Sequence, residues 1–192
     1  AHRVQRLQAR LLLEEFTDNP FLREFYRDRK RVAFQTQVFF LISRFKQQEE
    51  VRQQDLFSRM LVSDYLFAKD RIFAYVNLAD AELQLYEKIY DLIRPRLVKP
   101  DLVVYLQAST EVLLMRLRKR SRDFELVIEK EYLEDLSQAY LQFFHGYQET
   151  PLLVVETDHL DIVDRPKDLD RLLEVILSTH SGRRVYSADK AS

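Results

Sequence analysis

Residues 101–125 read DLVVYLQASTEVLLMRLRKRSRDFE, and this stretch decides the fold class. Its first part, Asp101 to Gln107, is a continuous apolar run, as expected for a strand buried on both faces of a parallel sheet. Ser109-Thr110-Glu111 then places a capping side chain and an acid at the start of a predicted helix over residues 109–120. A buried strand that leads directly into a helix is the repeating unit of an α/β fold.

Three more apolar runs predict strands on the same grounds: Arg10 to Glu14, Met60 to Asp64 and Pro151 to Glu156. Helical patterns occupy residues 31–54, 79–95, 129–148 and 166–178. We therefore predict an α/β protein, with a doubly wound parallel sheet flanked by helices in one domain over residues 1–180. We expect residues 181–192 to form a loose, polar C-terminal tail.

The composition excludes several classes of function. The 192 residues carry a formal net charge of −1, which offers no general attraction to a nucleic acid polymer or an anionic membrane. The chain has no cysteine, and its four histidines lack the spacing of metal ligands. We see no apolar run of membrane-spanning length and no signal peptide, so a cytoplasmic protein is the default expectation.

A dense row of arginines begins in the last turns of the predicted helix and continues past its end. Arg116, Arg120, Arg122 and Glu125 fit the pattern R-x-x-x-R-x-R-x-x-E. Arginine binds phosphate through a permanently charged, planar set of donors, and the carboxylate can accept a hydrogen bond from a sugar hydroxyl. The run therefore favours phosphate chemistry, and the alternative is a solvated basic helix end that is stabilised by the helix dipole.

Acidic residues end the first two predicted strands. Glu14 closes the first strand and Asp64 the second. Because ligands of open α/β sheets bind beyond the carboxyl ends of the strands, these acids are candidates for a general base or a metal ligand. The alternative is that they only solvate the loops.

The helix predicted over residues 31–54 carries a polar pair in an aromatic segment. Gln37 and Arg44 are two helical turns apart and share one face. An amide can read the edge of a nucleobase with two hydrogen bonds, and an aromatic side chain such as Phe73 can stack on it. The alternative is that Gln37 faces solvent and that the phenylalanines form the core.

Taken in order, these motifs resemble the deoxyribonucleoside kinases, and most closely the bacterial deoxyadenosine and deoxyguanosine kinases. The resemblance covers nearly the whole chain. It includes Leu13-Glu14-Glu15-Phe16, Asn19-Pro20-Phe21-Leu22, Phe25-Tyr26, Phe34-Gln35-Thr36-Gln37, Ser43-Arg44-Phe45-Lys46, Val62-Ser63-Asp64-Tyr65, Ile72-Phe73-Ala74, Pro100-Asp101-Leu102-Val103 and the arginine run. It implies a P-loop kinase-like fold and transfer of a phosphoryl group to the 5′-hydroxyl of a deoxynucleoside.

The resemblance also implies roles for the substrate-side residues. Glu14 resembles the general base that takes the proton of the 5′-hydroxyl, and Tyr26 and Glu125 resemble the pair that holds the 3′-hydroxyl. Gln37 matches the base-reading glutamine, with Gln35 on another face as the weaker candidate. Arg44 and Phe73 match the other positions beside the base.

On the donor side, Arg116, Arg120 and Arg122 resemble the lid arginines that close over the phosphates. The implied cofactors are ATP, or another nucleoside triphosphate donor, and Mg²⁺, for which Asp64 is the candidate ligand. The resemblance further implies a purine substrate (deoxyadenosine or deoxyguanosine), a role in nucleotide salvage and a homodimer packed through helices.

Two other functions stay open. A nucleoside monophosphate kinase such as thymidylate kinase would share the fold and the lid, but would need more basic groups for the acceptor phosphate. A non-catalytic nucleoside-binding or scaffold protein would lack the phosphate loop.

The sequence departs from the family pattern at two points. It has no G-x-x-x-x-G-K-[ST] run, and its two glycines are Gly146 and Gly182. We expect that this loop and the central strand precede Ala1 in a longer natural protein, and that the chain as given binds a donor nucleotide poorly. Many family members also carry an acid-arginine-serine triplet at the end of the second predicted strand, where this chain has Val62-Ser63-Asp64-Tyr65, so one phosphate-neutralising arginine is missing.

Overall fold

The structure is a computed structural model that describes residues 9–14, 18–54, 60–120 and 128–188. The chain divides into two compact units, Ala1–Val98 and Lys99–Ser192. All strand pairs in the described residues are parallel, and they form a two-stranded and a three-stranded ladder.

The first unit is mainly helical around a short parallel ladder. Strand β1 pairs with β2, and Leu11 lies opposite Val62. The elements are β1 (Arg10–Leu12), α1 (Leu22–Arg27), α2 (Arg29–Gln54), β2 (Leu61–Ser63), α3 (Lys69–Asn77), α4 (Asp80–Ile93) and a 3₁₀ turn (Arg94–Arg96).

Local chemistry explains where these helices begin and how they pack. Asn19 precedes α1, and its side-chain oxygen accepts the backbone N–H of Phe21 at 3.0 Å. The 26 residues of α2 include no glycine or proline, so nothing interrupts the helix. Leu41 of α2 and Tyr86 of α4 are fully buried in the core of this unit. The long α2 therefore forms the framework on which α1, α3 and α4 pack.

The second unit is a three-stranded parallel sheet in the order β3-β4-β5, with helices between the strands in sequence. The central strand β4 is buried over its first four residues, as the continuous apolar run predicts. The elements are β3 (Val103–Gln107), α5 (Thr110–Arg120), α6 (Lys130–His145), β4 (Leu152–Glu156), α7 (Pro166–Leu177) and β5 (Arg183–Ser187).

The predicted α/β class is confirmed, since parallel strands alternate with helices and the four predicted strands are present. The short helices α1 and α3 were not predicted. The expectation of a loose tail from Ser181 is wrong for Arg183–Ser187, because these residues form β5 on the edge of the sheet. The backbone ladder with β4 holds this edge strand in place, so its side chains need not be apolar. The sequence therefore contains no apolar run that would predict it. The proposed domain extent of residues 1–180 stays a prediction.

Within the described ranges, no helix combines the length and the apolar character needed to cross a membrane.

Candidate active site

The first unit contains a cluster of charged side chains centred on Arg44. Its Nε donates a hydrogen bond to Glu14 Oε1 at 2.8 Å, and its Nη2 bonds the same oxygen. Its Nη1 forms an ion pair with Asp70. Lys69 Nζ reaches the other oxygen of Glu14, Oε2, at 3.3 Å. Two carboxylates are thus matched by two cations, as buried charges require.

The end of the β1–β2 ladder positions Glu14. The backbone N–H of Glu14 donates to Asp64 Oδ1 at 2.8 Å, which ties the residues after the two strands to each other. Gln47 of α2 donates to the carbonyl of Leu13 at 3.1 Å. The Glu14 carboxylate therefore lies at the carboxyl edge of a parallel pair, where α/β proteins bind their ligands.

Gln37 and Arg44 share one face of α2, and both reach Asp70. Gln37 Nε2 donates to the backbone carbonyl of Asp70 at 2.9 Å, and the residue is only 3% exposed. The guanidinium carbon of Arg44 lies 4.9 Å from the ring centroid of Phe40 on the same helix. Gln35, the weaker candidate, is exposed. The alternative that Gln37 faces solvent is thus wrong.

Asp70 anchors the cluster from α3. It is completely buried, and its Oδ2 accepts a hydrogen bond from the Tyr86 hydroxyl at 2.9 Å. Burial raises the pKa of Tyr86, and the neighbouring Tyr90 adds to this rise. Tyr86 therefore stays protonated and serves as a hydrogen-bond donor to Asp70.

The cluster sets the charge state of Glu14. Burial works to raise the pKa of Glu14, but the Arg44 guanidinium and the Lys69 ammonium outweigh burial, so the pKa lies below its ordinary value. Burial lowers the pKa of Lys69, while Glu14 acts in the opposite direction. Glu14 is consequently a carboxylate at neutral pH, and can accept a hydrogen bond or a proton.

Two predicted substrate residues lie on helices that pack against α2. Phe73 is half-buried on α3, where helical spacing places it on the same face as Lys69 and Asp70. Tyr26 is half-buried on α1, and its ring meets that of Phe25 edge-on at 5.4 Å between centroids. The roles of Phe73 and Tyr26 stay predictions.

The predicted lid residues belong to the second unit. Arg116 is on α5 and donates from Nη1 to Thr157 Oγ1 at 2.8 Å and from Nη2 to the carbonyl of Thr157 at 2.6 Å. Arg120 ends α5 and is exposed. Arg122 and Glu125 lie outside the described residues, so their roles stay predictions.

A hollow of about 700 Å³ also opens in the second unit, at the carboxyl ends of its strands. Its lining includes Glu134, Glu156 and Asp158. Three carboxylates repel a phosphate group. The hollow is therefore a poorer site for phosphoryl chemistry than the cluster around Arg44.

Sequence reasoning missed Lys69, Asp70 and Tyr86. The available signal was the charged run Lys69-Asp70-Arg71 between apolar residues, because charged residues are rarely buried without partners. Nothing local identifies those partners, since Glu14 and Arg44 are at least 25 residues away from Lys69 and Asp70 in sequence.

Comparisons with known proteins show which family this chain resembles. The family described as deoxynucleoside kinase matches residues 4–180. The chain is 36% identical over 167 residues to the deoxyguanosine kinase of Bacillus subtilis (strain 168), covering 84% of this chain and 81% of that protein. It is 26% identical over 183 residues to the deoxyadenosine/deoxycytidine kinase of the same strain, covering 91% and 83%. The structure of deoxyadenosine kinase from M. mycoides with bound dATP superposes with a TM-score of 0.79 at 25% identity, covering 92% of this chain and 91% of that one.

We expect Arg44→Met to lower the free energy of unfolding by about 3–5 kcal/mol, because it leaves two buried carboxylates without their shared cation. Urea denaturation measures the loss. The matched control is Arg52→Met, on the exposed face of α2, which should cost less than about 1 kcal/mol. Adding Asp70→Asn to Arg44→Met should recover part of the loss. Equal effects of Arg44→Met and Arg52→Met would contradict this account.

Stability should also depend on pH through Glu14. Because its folded pKa lies below the ordinary value of 4.5, its contribution is fully present above pH 4.5 and is lost as the pH falls through the folded pKa. Wild type should therefore be more stable than Glu14→Gln at pH 7, and the gap should narrow below about pH 4.5. Thermal unfolding at several pH values measures it, with Glu50→Gln, exposed on α2, as control. A stability difference between wild type and Glu14→Gln that stays constant with pH would contradict the pairing of Glu14 with Arg44 and Lys69.

Proposed function

Since the chain belongs to the deoxynucleoside kinase family, we propose that it transfers the γ-phosphoryl group of a nucleoside triphosphate to the 5′-hydroxyl of a purine deoxynucleoside. The observation that carries the proposal is the Glu14 carboxylate, held ionised by Arg44 and Lys69 at the end of a parallel strand. An ionised carboxylate at that position suits a general base for a sugar hydroxyl.

The chemistry asks the protein for position and charge. Glu14 accepts the proton of the 5′-hydroxyl as the 5′-oxygen attacks the γ-phosphorus. The bond between the γ-phosphorus and the leaving nucleoside diphosphate breaks. The low pKa of Glu14 is compatible with this role, since phosphoryl transfer has a loose transition state and depends mainly on positioning and electrostatic stabilisation. Arg44 holds the carboxylate in one orientation and thereby reduces the entropy cost of reaching the reactive geometry.

The nucleoside would lie against the face formed by α2 and α3. Gln37 uses one amide N–H for the carbonyl of Asp70, which fixes its orientation and leaves its other N–H and its oxygen for a base edge. Arg44 lies on the same face of α2, and Phe73 lies on the face of α3 that carries Asp70. We assign the 3′-hydroxyl to Tyr26 and Glu125 on the strength of the family resemblance.

On the donor side, we propose that the nucleotide is ATP and that Arg116, Arg120 and Arg122 bind its phosphates. The Thr157 contacts hold the Arg116 side chain in one orientation.

Mg²⁺ would bind through Asp64, which is exposed and whose Oδ1 is oriented by the backbone N–H of Glu14. One carboxylate completed by phosphate oxygens and water fits the way proteins hold Mg²⁺, whose charge neutralises the donor phosphates. Among the described residues, no three metal-binding side chains cluster into a separate site.

The finer assignments follow the relatives. Their names include deoxyguanosine kinase and deoxyadenosine/deoxycytidine kinase. From these names we propose a purine deoxynucleoside as the preferred substrate. Following the family resemblance, we also propose a role in nucleotide salvage in the cytoplasm and a homodimer packed through helices. Leu85 and Leu92 of α4, 50% and 78% exposed, are candidates for that helical interface.

A coupled kinase assay on the full-length protein tests reaction and substrate together. We expect ATP-dependent phosphorylation of deoxyguanosine or deoxyadenosine, and weaker or no turnover of deoxycytidine and thymidine. The matched deoxynucleoside 5′-monophosphates serve as a second substrate panel. Turnover of the monophosphates instead would identify a monophosphate kinase, and binding without any turnover would favour the scaffold alternative.

Glu14→Gln should lower kcat at least ~10²-fold and change the affinity for the nucleoside little, because the base acts mainly in the transition state. Steady-state kinetics and nucleoside titration measure the two effects, with Glu50→Gln as control. Near-normal turnover of Glu14→Gln would exclude Glu14 as the base.

A further inference from the structure

The two oxygens of Glu14 contact different cations. Oε1 bonds Arg44, while Oε2 lies 3.3 Å from Lys69 Nζ, the first residue of α3. Both the Lys69 and the Glu14 side chains are only 19% exposed. The site thus contains an ammonium group beside the candidate base that the family resemblance does not assign.

The two cations differ in how they are held. Arg44 also pairs with the completely buried Asp70 and stacks on Phe40, so its guanidinium is fixed on three sides. Lys69 carries its charge at the end of a flexible stem and pairs with Oε2, the oxygen of Glu14 opposite the one that Arg44 bonds. Lys69 can therefore follow a reacting group while Arg44 keeps the carboxylate in place.

Arg44 divides its single positive charge between Glu14 and Asp70, and Lys69 balances the second carboxylate. Arg44 bonds the Glu14 carboxylate through two nitrogens. Burial of a lysine costs free energy, and here it lowers the pKa of Lys69. An ammonium group held beside the base at this cost is well suited to a reaction in which more negative charge arrives.

Resting on the function proposed above, we propose that Lys69 is a second catalytic residue, whose ammonium binds the phosphoryl group as it passes to the 5′-oxygen. The 5′-hydroxyl gives its proton to Glu14, its oxygen forms the new bond to phosphorus, and the leaving nucleoside diphosphate keeps the electron pair of the bond that breaks. Lys69 keeps its own protons throughout and offsets the charge on the transferred oxygens.

The spacing supports this role. A hydroxyl hydrogen-bonded to Glu14 Oε2 would lie about 2.7 Å from that atom. Since Lys69 Nζ is 3.3 Å from the same oxygen, the ammonium and the attacking hydroxyl would lie within about 6 Å of each other. This is the range in which a lysine stem can reach an oxygen of the incoming phosphoryl group.

The test uses Lys69→Met, Lys69→Gln and Lys69→Arg in the full-length protein, with Lys88→Met, exposed on α4, as control. We measure kcat, KM for the deoxynucleoside, and the inhibition constant of its 5′-monophosphate product. Lys69→Met and Lys69→Gln should lower kcat at least ~10²-fold with KM within about threefold, and weaken product binding about tenfold or more. Lys69→Arg should recover part of both losses, and Lys88→Met should match wild type.

Lys69→Gln guards against a folding defect, because it keeps an N–H donor for Glu14 without the charge. Wild-type kcat in either neutral variant, or a raised KM with unchanged kcat and product binding, would overturn the proposal while leaving the kinase function intact. If wild type itself phosphorylates no deoxynucleoside, the proposed function fails first, and the two failures are thus distinguished.

Discussion

The rest of the site depends on one interaction, the bridge that Arg44 forms between Glu14 and Asp70. It joins three elements of the first unit: the end of β1, the middle of α2 and the start of α3. Tyr86 extends the bridge to α4 through its bond to Asp70. Because unpaired buried charges cost several kcal/mol, these elements must meet in this arrangement for the unit to be stable. The same bridge that stabilises the fold also orients the candidate base.

This arrangement explains how one carboxylate can serve structure and chemistry together. Oε1 of Glu14 accepts the hydrogen bonds of Arg44, and Oε2 pairs with Lys69. A substrate hydroxyl can therefore approach Oε2 without breaking the bridge to Asp70. The site is pre-organised in this sense, since the charges are in place before a substrate binds and need little rearrangement during the reaction.

The sequence predicted the parts of the fold that have a local cause. Continuous apolar runs identified β1 to β4, and the seven-residue spacing placed Gln37 and Arg44 on one face of α2. The sequence did not predict the long-range pairs, because no local pattern indicates that Asp70 contacts Arg44 or that Tyr86 donates a hydrogen bond to Asp70. The edge strand β5 was not predicted for a related reason. Its Arg183 to Ser187 run is polar and depends on β4 for its conformation.

The most direct test of this account is a crystal structure of the full-length protein with a deoxynucleoside bound. The expected result is a 5′-oxygen within hydrogen-bond distance of a Glu14 carboxylate oxygen, about 2.5–3.2 Å, with the Arg44 bridge to Asp70 retained. A nucleoside bound with its 5′-oxygen more than about 5 Å from Glu14, or bound only in another part of the protein, would contradict it.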